Sequence, residues 1–125
     1  MVEQIITKGY APEKVFDYFE QLCKIPHGSG NEEAVARYIE NFALERGLFV
    51  FRDKNSNVFI RKEASEGYEK VPAYLLQGHT DMVCAKETSS NHNFETDALD
   101  LYMENGWLRA RGTTLGGDDG IAVAF

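Results

Sequence analysis

A histidine and three aspartates are the side chains of this sequence whose types and spacing could bind a metal ion. His79 and Asp81 lie two residues apart, just after an apolar run that ends at Leu76. Where a strand remains extended, residues i and i+2 leave from the same face of the sheet. A neutral imidazole ligates a metal through one nitrogen and needs an oxygen on the other nitrogen to fix its tautomer. The pair therefore has the spacing of a metal ligand and the carboxylate that orients it.

Two adjacent carboxylates, Asp118 and Asp119, lie in a glycine-rich stretch at 112–120, which reads Gly-Thr-Thr-Leu-Gly-Gly-Asp-Asp-Gly. Like charges at this spacing repel, and a bound cation would neutralise them. The same composition also suits a solvated turn in which one aspartate caps the following helix. A phosphate-binding loop is a poor match, because the stretch lacks Gly-Lys-Ser or Gly-Lys-Thr and two carboxylates would oppose a phosphate. Judged alone, both pairs suit a structural role as well as metal binding.

Other catalytic schemes find little support in the sequence. Ser29 lies in Gly-Ser-Gly rather than in a G-x-S-x-G elbow, and Cys84 has no evident partner base. His27 and His92 are expected to be polar loop residues rather than ligands. Cys23 and Cys84 form no C-x-x-C or C-x-x-H pattern, so both are expected to be reduced, structural cysteines.

Composition restricts the classes of protein and partner. The chain has 125 residues, of which 43% are apolar and 26% charged, as expected for one globular domain at most. Its formal net charge of -7 disfavours nucleic acids and anionic lipid surfaces. No apolar run approaches the roughly eighteen residues of a membrane helix. We therefore expect a cytoplasmic protein with neither a nucleic-acid partner nor a membrane partner.

Apolar periodicity predicts two amphipathic helices at the start of the chain. The first begins near Pro12, buries a stripe that includes Phe19 and Leu22, and ends before Pro26. The second begins at 29–31, where Ser29 and Glu32 have the spacing of a capping box, and runs to about residue 47. Both helices need a further layer against which to bury their apolar faces.

Strands are predicted to supply that layer. A hairpin is expected from 48–51 and 58–60, and a second one around Asn105-Gly106, a dipeptide that favours positive φ angles. The unbroken apolar run at 73–76 is typical of a strand covered on both faces. These elements predict an α/β fold with helices packed on a mixed β-sheet. The chain stops on an apolar run without a stop signal, so the natural protein is expected to be longer.

Three blocks of sequence together resemble one family. They are Cys-Lys-Ile-Pro-His at 23–27, Leu-Gln-Gly-His-Thr-Asp-Met-Val at 76–83 and Ala-Arg-Gly-Thr-Thr-Leu-Gly-Gly-Asp-Asp-Gly at 110–120. In this order and spacing they resemble the aminoacyl-histidine dipeptidase (peptidase D, carnosinase-like) family of two-metal zinc exopeptidases. The resemblance runs from about residue 12 to residue 125, and the third block is the most specific.

The resemblance implies roles for three of the candidate residues. His79 matches a ligand of one metal, Asp81 the catalytic-site carboxylate that orients it, and Asp118 the carboxylate that bridges both metals. The cofactors implied are two divalent ions, zinc first, with manganese or cobalt as alternatives. The family also implies a cis peptide bond between Asp118 and Asp119. Some relatives read Ala-Asp-Asn where this chain reads Gly-Asp-Asp, so Asp119 remains an alternative bridging residue.

The activity implied is hydrolysis of unblocked dipeptides, preferentially Xaa-His, by metal-activated water. The substrate would be a small peptide, and the full-length protein would be a homodimer. Residues 1–125 would form only the amino-terminal part of the catalytic domain. The general base, the remaining ligands and the lid or dimerisation domain would follow Phe125, so this chain alone is expected to bind metal weakly and to be inactive.

Two alternatives to a dipeptidase also fit the sequence. Within the enzyme class, a related two-metal aminopeptidase, deacylase or carboxypeptidase would share the histidine and the bridging aspartate. From another class, a non-catalytic α/β binding or assembly domain would use His79 and Asp81 as a structural pair and Asp118 as a helix cap.

Overall fold

The computed structural model describes residues 5–125, which form three helices and four short strands. In chain order these are α1 (Glu13–Cys23), α2 (Glu33–Glu45), β1 (Phe49–Arg52), β2 (Val58–Arg61), β3 (Leu101–Glu104), β4 (Trp107–Ala110) and α3 (Gly117–Ala124). They divide into two compact units. The first holds the described residues up to Val35 together with Gly78–Phe125, and the second is Ala36–Gln77. Among the described residues, no helix combines the length and the apolar character needed to cross a membrane.

Helix α1 packs against α3 in the first unit. The predicted stripe is confirmed, because Phe19, Leu22 and Cys23 are buried. The two helices approach closely at Gly120, where a Cβ atom would lie 2.9 Å from Cε2 of Phe19. Glycine is therefore required at this crossing, because any side chain would push the two helices apart. This packing fixes the start of α3 relative to the α1 segment of the chain.

The close approach predicts a cost for a single methyl group. Gly120→Ala is expected to lower the free energy of unfolding by about 1–3 kcal/mol through overpacking against Phe19. The 2.9 Å approach places the cost in the upper part of this range, above the roughly 1 kcal/mol that alanine gains over glycine in a helix. Gly117→Ala is the matched control, because a Cβ there would meet no heavy atom within 4 Å. Denaturant midpoints of the full-length protein measure both changes, and an unchanged midpoint for Gly120→Ala would contradict this packing.

The two cysteines differ in environment. Cys23 is buried in α1, and burial followed by the nearby charge of Glu20 raises the pKa of its thiol to about 12. Both cysteines are free thiols, as predicted, but only Cys23 is buried, whereas Cys84 is exposed. Its Sγ donates a 3.7 Å hydrogen bond to the backbone carbonyl oxygen of Met82.

Strands β3 and β4 form the second predicted hairpin, with Leu101 opposite Ala110 and Glu104 opposite Trp107. Asn105 and Gly106 have φ angles of 50° and 81°, as the Asn-Gly turn requires. This hairpin leads directly into the glycine-rich stretch before α3.

The second unit contains the first predicted hairpin, in which β1 and β2 pair antiparallel from Phe49 opposite Arg61 to Arg52 opposite Val58. The Asp53 carboxylate accepts hydrogen bonds from the backbone N–H groups of residues 55 and 57 and from the side chain of Asn57. These bonds lower the pKa of Asp53, the Asn57 side chain having the largest effect. The turn is therefore closed by its own side chains.

The predicted α/β class is confirmed, but the arrangement of strands differs from the prediction. The described strands form two separate two-stranded antiparallel sheets rather than one mixed sheet, and α1 packs on α3 rather than on strands. The run at 73–76 was expected to be a covered strand, and this is wrong. It joins no β-ladder in the described chain, and Tyr74 and Leu76 are each 90% exposed. A strand buried on both faces needs paired neighbours and covering layers, and the described residues supply neither to this run.

Candidate functional site

The imidazole of His79 lies between two aspartates in the first unit. Its Nδ1 is 3.0 Å from the backbone carbonyl oxygen of Asp81 and 3.2 Å from Oδ1 of the same residue. Its Nε2 is 3.0 Å from Oδ1 of Asp118. The structure thus brings together the three residues that the sequence singled out. The His79 side chain remains 53% exposed, so the site is open to solvent.

The partners of the ring decide where its protons lie. A carbonyl and a carboxylate can only accept, so Nδ1 of His79 carries a hydrogen and donates it to Asp81. Nε2 also faces an acceptor, which favours a second proton on the ring. The pKa of His79 is accordingly raised, first by the hydrogen bond to Asp118 and then by the backbone of Asp81. A metal ion would displace only the Nε2 proton and would leave the bonds at Nδ1 in place.

The carboxylate of Asp81 is held from both sides. Its Oδ1 faces His79, and its Oδ2 accepts a 2.5 Å hydrogen bond from Oγ of Ser29. The pKa of Asp81 is lowered, with the Ser29 bond as the largest cause and the positive charge on His79 as a smaller one. Asp81 is therefore an ionised acceptor over the neutral pH range.

Ser29 is the residue of this site that the sequence analysis missed. Its spacing to Glu32 suggested a capping box, but its hydroxyl bonds Asp81, and Glu32 accepts from the backbone N–H of Gly30. Helix α2 accordingly begins at Glu33, later than predicted. No local pattern reveals this role, because Ser29 and Asp81 are 52 positions apart in the chain.

Asp118 and Asp119 use their carboxylates differently. Asp118 contacts the ring of His79 and is otherwise 95% exposed. Oδ2 of Asp119 accepts a 3.3 Å hydrogen bond from the backbone N–H of His79. The peptide bond between the two aspartates is cis, as the family resemblance implied. The N-cap position of α3 is Gly116, and the backbone is non-helical at Asp118 and Asp119.

Two glycines allow the segments to approach. A Cβ atom on Gly78 would lie 2.8 Å from Oδ2 of Asp119, where it would displace the carboxylate from the backbone of His79. Gly116 has a φ angle of 72°, and its Cβ would lie 3.1 Å from Sδ of the buried Met82. A positive φ angle is one that other residues rarely adopt. Gly78 and Gly116 therefore allow the segment that contains His79 to lie close to the segment that contains Asp118 and Asp119.

The two remaining histidines lie outside this set of contacts. His27 was expected to be a polar loop residue, but it is 5% exposed, and its Nδ1 is 2.5 Å from the carbonyl oxygen of Ile25. The ring of His92 packs edge-to-face on Phe94 at 4.6 Å, and its Nε2 has no hydrogen-bond partner. An open cleft of about 600 Å³ is lined by β3, β4, 85–87 and 112–115 and includes none of the three candidate residues.

The donor atoms fit part of a metal site. An imidazole nitrogen and a carboxylate oxygen suit zinc, manganese or cobalt. The 3.0 Å between Nε2 of His79 and Oδ1 of Asp118 is close to the roughly 3.3 Å that tetrahedral zinc imposes on two ligand atoms. Among residues 5–125, no group of three or more histidine, cysteine, aspartate or glutamate side chains converges on one point. The described chain thus offers two ligand atoms where zinc uses four.

In fold, the chain matches part of a dipeptidase domain. It is similar to the aminoacylhistidine dipeptidase from Vibrio alginolyticus, with a TM-score of 0.90 and 41% identity over 98% of this chain and 25% of that chain. In sequence, it is 43% identical over 114 residues to the cytosol non-specific dipeptidase of Escherichia coli (strain K12), which covers 91% of this chain and 24% of the relative. No family model matches the chain.

The two matches support the aminoacyl-histidine dipeptidase family for this chain. It spans about a quarter of the length of the relatives that it matches.

Proposed function

We propose that the chain is the part of a metal-dependent dipeptidase that supplies His79 and Asp118 as metal ligands and Asp81 as the carboxylate that orients His79. The observation that supports this most directly is the position of the His79 ring. Its Nδ1 is saturated by Asp81, and its Nε2 faces Asp118. A ring fixed in this way presents one nitrogen, in one tautomer, next to a carboxylate oxygen.

The candidate residues of this chain would hold metal ions and orient the ligand His79, and none of them would react with the substrate. His79 and Asp118 would be ligands of a bound ion, and Asp118 would also be a ligand of a second ion. When bound, divalent ions polarise a scissile carbonyl and acidify the attacking water to a pKa of about 7. Asp81 keeps the Nδ1 proton of His79 in place, and Asp119 anchors the backbone of the same residue.

The substrates proposed are unblocked dipeptides, with Xaa-His preferred. The names of the two relatives both support a dipeptidase. They differ in the range of substrates that they imply, since one is called an aminoacylhistidine dipeptidase and the other a non-specific dipeptidase. A cytoplasmic location is proposed from the second name. The general base and the further ligands would come from residues outside this chain, as would a dimerisation domain.

A substrate panel tests this function. The full-length protein is expected to hydrolyse Xaa-His and other free dipeptides, with Xaa-His fastest, and to leave tripeptides and N-acyl amino acids intact. A chelator should stop hydrolysis, and added zinc, manganese or cobalt should restore it. Preference for longer peptides or N-acyl substrates would assign a related aminopeptidase or deacylase instead. No metal-dependent hydrolysis of any member would favour the non-catalytic α/β domain.

A further inference from the structure

The hydroxyl of Ser29 extends the contacts of the candidate metal site beyond Asp81. It donates to Oδ2 of Asp81 at 2.5 Å, while Oδ1 of Asp81 faces Nδ1 of His79 at 3.2 Å. Each carboxylate oxygen of Asp81 therefore has one side-chain partner. Ser29, Asp81 and His79 form a chain of contacts that ends at Nε2 of His79, next to Asp118.

The backbone builds this contact from two distant segments. Gly28 and Met82 form an isolated parallel bridge, in which Met82 N–H donates to the His27 carbonyl and Ser29 N–H donates to the Met82 carbonyl. A Cβ atom at Gly28 would overlap Sγ of Cys84, so the approach depends on glycine. Backbone hydrogen bonds to Met82 therefore place Ser29 next to Asp81.

The contact matters because Asp81 is only partly buried. Its side chain is 36% exposed, and water can compete for its oxygens. Rotation of the carboxylate about the bond to its Cβ moves both oxygens, so with both oxygens held it must break two contacts rather than one. The Ser29 bond therefore restricts the position of the oxygen that faces His79. A displaced Oδ1 would leave Nδ1 of His79 held only by the backbone carbonyl of Asp81 at 3.0 Å, so the ring would be held less firmly.

We infer that Ser29 is a positioning residue, which holds Asp81 so that the Nε2 atom of His79 stays aimed at the metal. The inference rests on the proposed function, because it assigns Ser29 a part in the same site. Ser29 acts here as a hydrogen-bond donor and not as a nucleophile. Its contribution is made through Asp81 and should disappear when Asp81 is removed.

The test compares two side chains of equal size at position 29. Ser29→Thr keeps the hydroxyl, whereas Ser29→Val replaces it with a methyl group of similar volume. In the full-length protein, the dissociation constant for zinc is measured by competition with a chromophoric chelator. Ser29→Val is expected to bind zinc about tenfold more weakly than the wild type, because loss of outer partners of a ligand costs roughly 10–100-fold in affinity. Ser29→Thr should stay within about threefold of the wild type.

Two controls separate positioning from folding. Ser89→Ala changes an exposed serine in the same unit and should leave zinc affinity unchanged. The zinc affinity of Asp81→Ala is compared with that of the double variant with Ser29→Val. If Ser29 acts through Asp81, the second change adds nothing, whereas a general structural role would add its full effect.

The outcomes of this inference and of the proposed function are distinguishable. Equal zinc affinity of Ser29→Val and Ser29→Thr, in a wild type that binds zinc and cleaves dipeptides, would overturn the role of Ser29 alone. A full additional loss in the Asp81→Ala background would also overturn it. A wild type that neither binds zinc nor cleaves dipeptides would overturn the proposed function and this inference with it.

Discussion

His79→Ala in the full-length protein is expected to lower kcat/KM for a free dipeptide by on the order of a thousandfold or more. The substitution removes the Nε2 atom that faces Asp118 and the Nδ1 atom that Asp81 holds. A two-metal site that loses a ligand cannot keep both ions at the spacing needed to polarise a carbonyl. The same variant should bind at least one metal ion fewer per chain. Steady-state kinetics and elemental analysis measure the two effects.

His92→Ala is the matched control for this loss. His92 packs on Phe94 and makes no contact with the candidate site residues. Its removal should leave kcat/KM within about threefold and the metal content unchanged. An active His79→Ala variant that retains the wild-type metal content would remove the basis for assigning His79 as a ligand.

The two adjacent aspartates are expected to differ strongly when each is replaced by asparagine. Asp118→Asn should lower kcat/KM by on the order of a thousandfold, because a neutral amide cannot offset the repulsion between two divalent ions. Asp119→Asn should cost about tenfold or less. Its side chain accepts a hydrogen bond from the backbone of His79, and an amide oxygen can still accept that bond.

Metal content distinguishes the two possible bridging residues. Asp118→Asn should retain at most one ion per chain, whereas Asp119→Asn should retain the wild-type number. The reverse order of severity would assign the bridging role to Asp119. That alternative follows from the Gly-Asp-Asp sequence, in which either carboxylate could face the metal.

Elements defined by local chemistry could be predicted from the sequence. The Asn-Gly dipeptide defined the β3–β4 hairpin, since both residues adopt the positive φ angles that such a turn needs. The apolar periodicity of α1 predicted which face of the helix is buried, and Phe19 and Leu22 lie on that face. The H-x-D spacing gave the contact between His79 and Asp81, because residues two apart on an extended chain lie close together.

Features that depend on distant segments could not be predicted. The apolar run at 73–76 gives a strand only where other strands pair with it, and sequence alone does not say whether they are present. The start of α2 was placed too early because Ser29 looked like a cap, while its hydroxyl bonds Asp81. That bond depends on the register of Gly28 beside Met82, which is a non-local property. The resemblance to a family, rather than spacing alone, favoured Asp118 as the bridging residue, with Asp119 as the alternative.

The assignment of His79 and Asp118 as metal ligands is tested most directly by the number of divalent ions that the wild-type full-length protein binds per chain. The protein is dialysed against a buffer that contains zinc and no other divalent metal, separated from free ions, and analysed for metal and protein together. We expect two ions per chain, and a chelator should remove both the ions and dipeptide hydrolysis. A protein that cleaves dipeptides at full rate with no bound metal would contradict the central claim that His79 and Asp118 are metal ligands.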